Sequence, residues 1–167
     1  MGRRLIIYDL DEVNEKKLIN ICKDDMIFSA NPMVKHCIGC FGCWVKTPGQ
    51  CVIKDRCDVI TSYIPKCDEI VIISPILYGG YSERIKAVLE RANGYILPYF
   101  RIVNDQMHHK MRYNNPFKLN VYFYGECYEN EKHIAKRLVK ANAVNLGAGD
   151  FSVNFIDLNQ LSKVVLK

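Results

Sequence analysis

The sequence predicts an α/β protein built on a doubly wound parallel sheet. Two observations carry the prediction. Short apolar runs such as Leu5-Ile6-Ile7-Tyr8 and Ile70-Val71-Ile72-Ile73 recur along the chain, as expected of strands covered on both faces. Between them lie segments of helical spacing that begin at capping residues. The 167 residues suffice to bury one core without disulfides. No repeat, low-complexity run or linker interrupts them, so residues 1–167 read as a single domain.

In chain order, Leu5–Tyr8 is the first strand. Asp11 stands as the N-cap of a helix whose apolar face is Val13, Leu18, Ile19 and Cys22. Met26-Ile27-Phe28 is a weaker second strand, closed by Asn31-Pro32. After Cys51, Asp55 to Lys66 places Val59, Ile60, Tyr63 and Ile64 at helical spacing. Glu69–Ile73 is the most strand-like run and is expected at the sheet centre. Pro75 to Ser82 is a strand-to-helix turn with paired glycines, and Ser82 caps a helix carrying Ile85, Val88 and Leu89. The pattern then lapses from Ile96 to Phe117, a connection long enough to be functional, an interface or disordered. Leu119–Tyr124 restores a strand that Gly125 ends, and a basic helix turns Ile134 and Leu138 inward. Phe151, Val153 and Phe155 alternate with polar residues as in an edge strand, and Leu158 to Lys167 is a short tail.

Five strands in a chain of this length fit the flavodoxin-like order 2-1-3-4-5. Ligands of such sheets sit beyond the carboxyl ends of the strands, so the turns at Asp9–Glu12, Pro75–Ser82 and Gly125–Tyr128 share one rim. A cysteine stretch that follows the second strand belongs to the same rim.

That stretch is the strongest chemical signal. Cys37, Cys40, Cys43 and Cys51 are separated by two, two and seven residues, and the glycines between them permit tight folding. Eight cysteines in a chain with no span-length apolar run, and with no secretory pattern at its start, are expected in a reducing cytoplasm. There they point to metal or redox work, with zinc and metal-free thiols standing beside iron. The formal charge of +5 is spread among eighteen acidic residues. No basic stripe interleaved with aromatics exists, so neither nucleic acid nor membrane is expected as a partner.

The segments Cys37-Ile-Gly-Cys40-Phe-Gly-Cys43-Trp44, Thr47-Pro48-Gly49-Gln50-Cys51, Lys54-Asp55 and Ser74-Pro75-Ile76-Leu77-Tyr78-Gly79 resemble the NADPH-dependent FMN reductase family of flavodoxin-like proteins. They are most similar to its iron-sulfur flavoprotein branch, with the match running from about Cys37 to Arg91. The resemblance implies FMN reduced by NAD(P)H or a protein donor, and a homo-oligomer, dimer or tetramer. It implies that Pro75, Ile76, Leu77, Tyr78, Gly79, Gly80 and Ser82, with Gly125, lie against the flavin. It also implies that Cys37, Cys40, Cys43 and Cys51 each ligate one iron of a [4Fe-4S] cluster. Cys57 is a spare thiol nearby, and Cys22, Cys67 and Cys127 are bystanders. No catalytic side chain is implied, because flavin carries its own chemistry.

One segment departs from the family pattern. The first loop of the family is rich in Gly, Ser, Arg, Asn and Thr and cradles the FMN phosphate at a helix N-terminus. This chain has Tyr8-Asp9-Leu10-Asp11-Glu12 there, with three carboxylates. The phosphate would then need Arg3, Arg4 or a partner subunit, and the His108–Tyr113 cluster is a further source of cations. Two functions follow as expectations. One is a flavin-dependent oxidoreductase or electron-transfer flavoprotein, with or without an iron-sulfur cluster. The other is a non-catalytic flavodoxin-like module that has lost FMN and keeps the cysteine loop for metal binding or redox sensing.

Overall fold

The computed structural model describes residues 3–162. In chain order the elements are β1 (Arg4–Tyr8), α1 (Glu12–Ile21), β2 (Met26–Ser29), α2 (Gly42–Val45), α3 (Ile60–Tyr63), β3 (Glu69–Pro75), α4 (Glu83–Arg91), β4 (Ile96–Val103), β5 (Gln106–Met111), β6 (Lys118–Tyr124), α5 (Glu129–Leu146) and β7 (Asp150–Ile156). Five of the strands form a parallel sheet in the order β2-β1-β3-β6-β7, while β4 and β5 pair only with each other. With that hairpin set aside, the order is the expected 2-1-3-4-5, and β3 is the central strand.

Alternation along the strands divides the core into two layers. Leu5, Ile7, Ile70, Ile72, Leu119, Val121 and Phe123 face α3, α4 and α5. Ile6, Tyr8, Val71 and Ile73 face α1 through Leu18 and Cys22. Beyond β3 this second face turns polar. Asn120 donates to Glu69, Ser152 donates to Asn120 Oδ1 at 2.7 Å, and Asn154 donates to Ser152 at 3.0 Å.

The caps read from the sequence hold. Asp11 accepts from Val13 and Asn14 at the start of α1, and Ser82 accepts from Ile85 at the start of α4. Several other expectations are corrected. Val13 and Ile19 are exposed, leaving Leu18 as the buried residue of α1. The helix expected from Asp55 shrinks to Ile60–Tyr63 with a following 3-10 turn, and residues 55–60 instead form successive turns, with the Asp58 amide donating to Asp55 O and the Ile60 amide to Cys57 O. Ala135, Val139 and Ala143 form the buried stripe of α5, whereas Ile134 is exposed. The lapse from Ile96 to Phe117 is an antiparallel hairpin, turned at Asn104-Asp105 with φ of 49° and 61°. Asn and Asp tolerate that left-handed backbone well, and it suits a two-residue hairpin turn. In the tail, Leu158–Gln160 is a 3-10 turn and Leu161 is buried against α1; the tail beyond residue 162 lies outside the described residues. Among those residues, no helix is long and apolar enough to cross a membrane.

Candidate functional site

The turn after β1 is closed upon itself. The Asp9 amide donates to Ile73 O at 3.0 Å, Tyr124 Oη donates to Asp9 O at 2.7 Å, and Leu10 is buried. The Asp9 side chain is also buried and pairs with Arg84 of α4 at 3.0 Å. Asp11 occupies the N-terminus of α1, where it accepts from the amides of Val13 (3.0 Å) and Asn14 (2.9 Å). Those bonds, that from Asn14 first, hold its carboxyl below the usual range. Burial, together with the charges of Asp9 and Asp11, pushes Tyr124 up to about 12. A helix N-terminus is an anion site only while its amides are free. Here the chain supplies its own anion.

The turn after β3 is equally specific. Ile76 donates to Tyr124 O at 2.9 Å, and Leu77 and Gly80 exchange two backbone bonds of 2.9 Å across Tyr78 and Gly79. Both central residues are left-handed, with φ of 51° and 74°. Gly79 is pressed onto α5, where a Cβ would stand 2.8 Å from Ile134 Cβ and 2.9 Å from Glu131 O. Ser82 donates its amide to Ser74 and spends its hydroxyl on the cap of α4, so its side chain faces inward. Leu77 and Tyr78 project from the rim, Pro75 ends β3, and the space beside Gly125 is open. The ring-side candidates are thus gathered on one rim. The phosphate position beside them is filled with carboxylates, and the residues present do not fit the FMN phosphate. Arg3 and Arg4 offer no substitute, since they lie at the opposite, amino end of β1, where Arg4 pairs with Asp25 at 2.6 Å.

The cysteine stretch leaves the rim and runs down α4. The His36 ring lies 3.7 Å from the Glu83 carboxylate and 3.6 Å from that of Glu90. Trp44 Nε1 donates to Asn93 O and Ile96 O, both at 3.0 Å, beyond the far end of α4. A nine-residue helix spans roughly 13 Å, so the loop extends well away from the rim formed by the turns after β1 and β3. Gly42 packs so closely on Val52 that a Cβ would stand 2.5 Å from its Cγ1, which draws the Cys40–Cys43 turn against the chain entering from Cys51. Cys40 is exposed, Cys37 and Cys43 are half-buried, and Cys51 is buried. The Cys43 thiol is pushed up first by burial and then by the nearby thiols of Cys51, Cys37 and Cys40. As placed, no three His, Cys, Asp or Glu side chains among the described residues stand close enough to hold a metal ion. The donor set still has the chemistry of a cluster site: four thiols on one short stretch. Cys57 is fully buried, and burial pushes its thiol up to about 12.

Beneath the loop is a charged hub that the sequence reading missed. Arg91, the last residue of α4, is buried with a side-chain exposure of 0%. All five of its N–H groups have partners: Nε donates to Cys51 Sγ (3.1 Å), Nη1 to Lys35 O (2.8 Å) and Asp55 Oδ2 (2.9 Å), and Nη2 to Ile53 O and Asp55 Oδ1 (2.9 Å each). Asp55 also accepts from the amides of Cys57 (2.9 Å) and Lys35 (3.2 Å). Burial works against the charge of both groups, but the pairing wins: Arg91 is raised and Asp55 lowered from their ordinary values. The signal was present in the helix pattern. Arg91 lies three and six residues beyond Val88 and Ile85, on the apolar face of α4, where a cation must be paired.

From Trp44 an aromatic series reaches the hairpin. Phe41 stacks on Trp44 (5.5 Å), Trp44 meets His109 (5.1 Å), and His109 meets Phe100 (4.9 Å). His108 turns the other way and shares a hydrogen bond of 2.8 Å with Asn145 of α5. The two histidines therefore do not form one cationic cluster.

No protein-family model matches the chain. Along nearly its whole length it superposes on an NAD(P)H:quinone oxidoreductase from Methanothermobacter marburgensis, with a TM-score of 0.62 at 10% identity, covering 98% of this chain and 90% of that one. An FMN-dependent NADH-azoreductase from Bacillus anthracis, solved with FMN, gives 0.55 at 15% identity over 99% and 96%. The fold is flavodoxin-like. In sequence, an iron-sulfur flavoprotein of Methanocaldococcus jannaschii is 34% identical over 68 residues, which is 41% of this chain. The match spans about a third, 34%, of that relative's length.

Proposed function

We propose that this protein is an electron-transfer oxidoreductase of flavodoxin-like fold whose redox centre is an iron-sulfur cluster held by Cys37, Cys40, Cys43 and Cys51. The observation that carries the reading is the set of four thiols on one short loop, Cys37, Cys40, Cys43 and Cys51, anchored through Cys51 to the Arg91–Asp55 ion pair. The local likeness to an iron-sulfur flavoprotein supports it. A [4Fe-4S] cluster, when bound, supplies one-electron storage. The chain's own part is to supply the thiols, to fix Cys51, and to keep one side of the loop dry through Val52 and Trp44. The reductant belongs to the nicotinamide or protein-donor class, and eight free thiols suit a reducing cytoplasm.

FMN held by its phosphate is not part of this reading, since Asp9 and Asp11 occupy that position. A flavin-dependent NAD(P)H reductase is the second reading. It is favoured by the exposed Leu77-Tyr78 edge and the open space at Gly125. Homo-oligomerisation is proposed through the outer face of the hairpin, where Phe100, Ile102 and Met107 are exposed and Ile102 pairs across the strands with Met107.

Anaerobic purification followed by absorption spectroscopy and metal analysis tests the reading. A brown protein with about four irons per chain is expected. Cys40→Ala abolishes the broad cluster absorption, while Cys67→Ala leaves it intact. Zinc in place of iron, or a colourless protein that takes up neither iron nor sulfide on reconstitution, sinks it. Tight stoichiometric FMN in a protein without iron establishes the second reading instead.

A further inference from the structure

We infer that Arg91 is a positioning residue that sets Cys51 apart from the other three thiols and raises the reduction potential of the cluster ligated there. The inference rests on the cluster reading of the cysteine loop. Its physical content is the bond from Arg91 Nε to Cys51 Sγ at 3.1 Å, donated by a cation that cannot turn away. The other four N–H groups fix the guanidinium plane: two on Asp55, one on Lys35 O and one on Ile53 O. Cys51 Sγ therefore receives a cationic donor whose direction is set by the backbone on either side of it.

Two consequences follow for a cluster at this loop. Cys51 is held by the fold through its bond to Arg91, whereas Cys40 is exposed and Cys37 and Cys43 are half-buried. A fixed positive charge and an N–H donor on one ligand sulfur stabilise the electron-rich state of the cluster, which raises its potential. Asp55 acts in the opposite sense, because its carboxylate partly neutralises Arg91 and adds negative charge to the same hub.

The opposed signs supply the test. Arg91→Lys keeps the charge, but an ammonium lacks the rigid fork that serves Asp55 and Cys51 together. Asp55→Asn keeps the shape and removes the negative charge. In variants that retain iron content and the circular dichroism of the parent, redox titration followed by electron paramagnetic resonance is expected to move the midpoint potential down in Arg91→Lys and up in Asp55→Asn. Potentials that stay at the parent value, or that shift in the same direction, overturn the inference. A second measurement needs no cluster and no variant of the hub. In metal-free protein, one arginine Nε–H resonance in the ¹⁵N correlation spectrum is expected to be protected from exchange and to move in Cys51→Ala. If no arginine Nε resonance responds, the Arg91–Cys51 bond is refuted. If it responds while the parent takes up no iron, the bond stands and the cluster reading fails.

Discussion

The turn after β1 and the cysteine loop make opposite use of buried charge. In the turn, Asp9 is matched by Arg84 and Asp11 by the amides of Val13 and Asn14, so carboxylates of the chain itself take these donors. In the loop, Arg91 and Asp55 pair with one another and with groups beneath the loop, and Cys37, Cys40 and Cys43 are free thiols. A site survives where a scaffold pairs its charges behind the ligand groups. It closes where the pairing is made with those groups. The two regions of one fold thus differ in where their charges are paired: within the turn itself after β1, and beneath the thiols in the loop.

The largest change expected is at the hub. Removing one partner of a fully buried ion pair costs about 3–5 kcal/mol; Asp55 is only part-buried, so Arg91→Met should move the urea midpoint downward by an amount at or below that range. A far smaller loss would mean that water reaches Asp55. The same pair sets a pH dependence. The folded-state value of Asp55 lies below its unfolded one, so its contribution is complete above the unfolded carboxyl range near about 4 and disappears as pH falls through the lower, folded value. Asp55→Asn should therefore flatten that part of the acid limb of a stability-versus-pH curve, leaving other carboxylates to act.

Next in size is the attempt to reopen the first turn. Asp9→Ser with Asp11→Thr keeps a cap, frees Arg84 and removes two negative charges from the phosphate position. FMN affinity in fluorescence titration should rise at least ~10-fold, equivalent to about 1.4 kcal/mol. Unchanged affinity would show that repulsion is not the obstacle. Smaller again is the cap alone: Asp11→Ala should cost about 0.5–2 kcal/mol, seen in thermal unfolding. The hairpin offers the mildest test, because Ile102→Asp should lower the mass measured by light scattering without altering the unfolding midpoint.

Much of the fold was legible from residues whose meaning is local. Asp11 and Ser82 cap helices because their side chains reach amides two or three residues on, and Ile70–Ile73 reads as a central strand because both its faces are dry. The hairpin was not legible in the same way. Its β4 and β5 strands carry Arg101, His108 and His109, whose partners lie on α5 or on the cysteine loop, so neither strand shows a clean alternation. Of the site, the thiol spacing and the acidic turn could be read directly. Arg91 could not, because what makes it special is the convergence of Lys35, Cys51, Ile53 and Asp55, drawn from segments 36 to 56 residues away.

The polar ladder from Glu69 through Asn120 and Ser152 to Asn154 has a consequence for how the sheet assembles. Apolar strands of similar length can slide past one another at little cost, since one branched residue replaces another. Here a one-residue slip of β6 would carry Asn120 into the dry layer among Leu119, Val121 and Phe123 and break its bonds to two neighbouring strands. The ladder therefore acts as a ratchet on strand alignment, tying β3, β6 and β7 to one register.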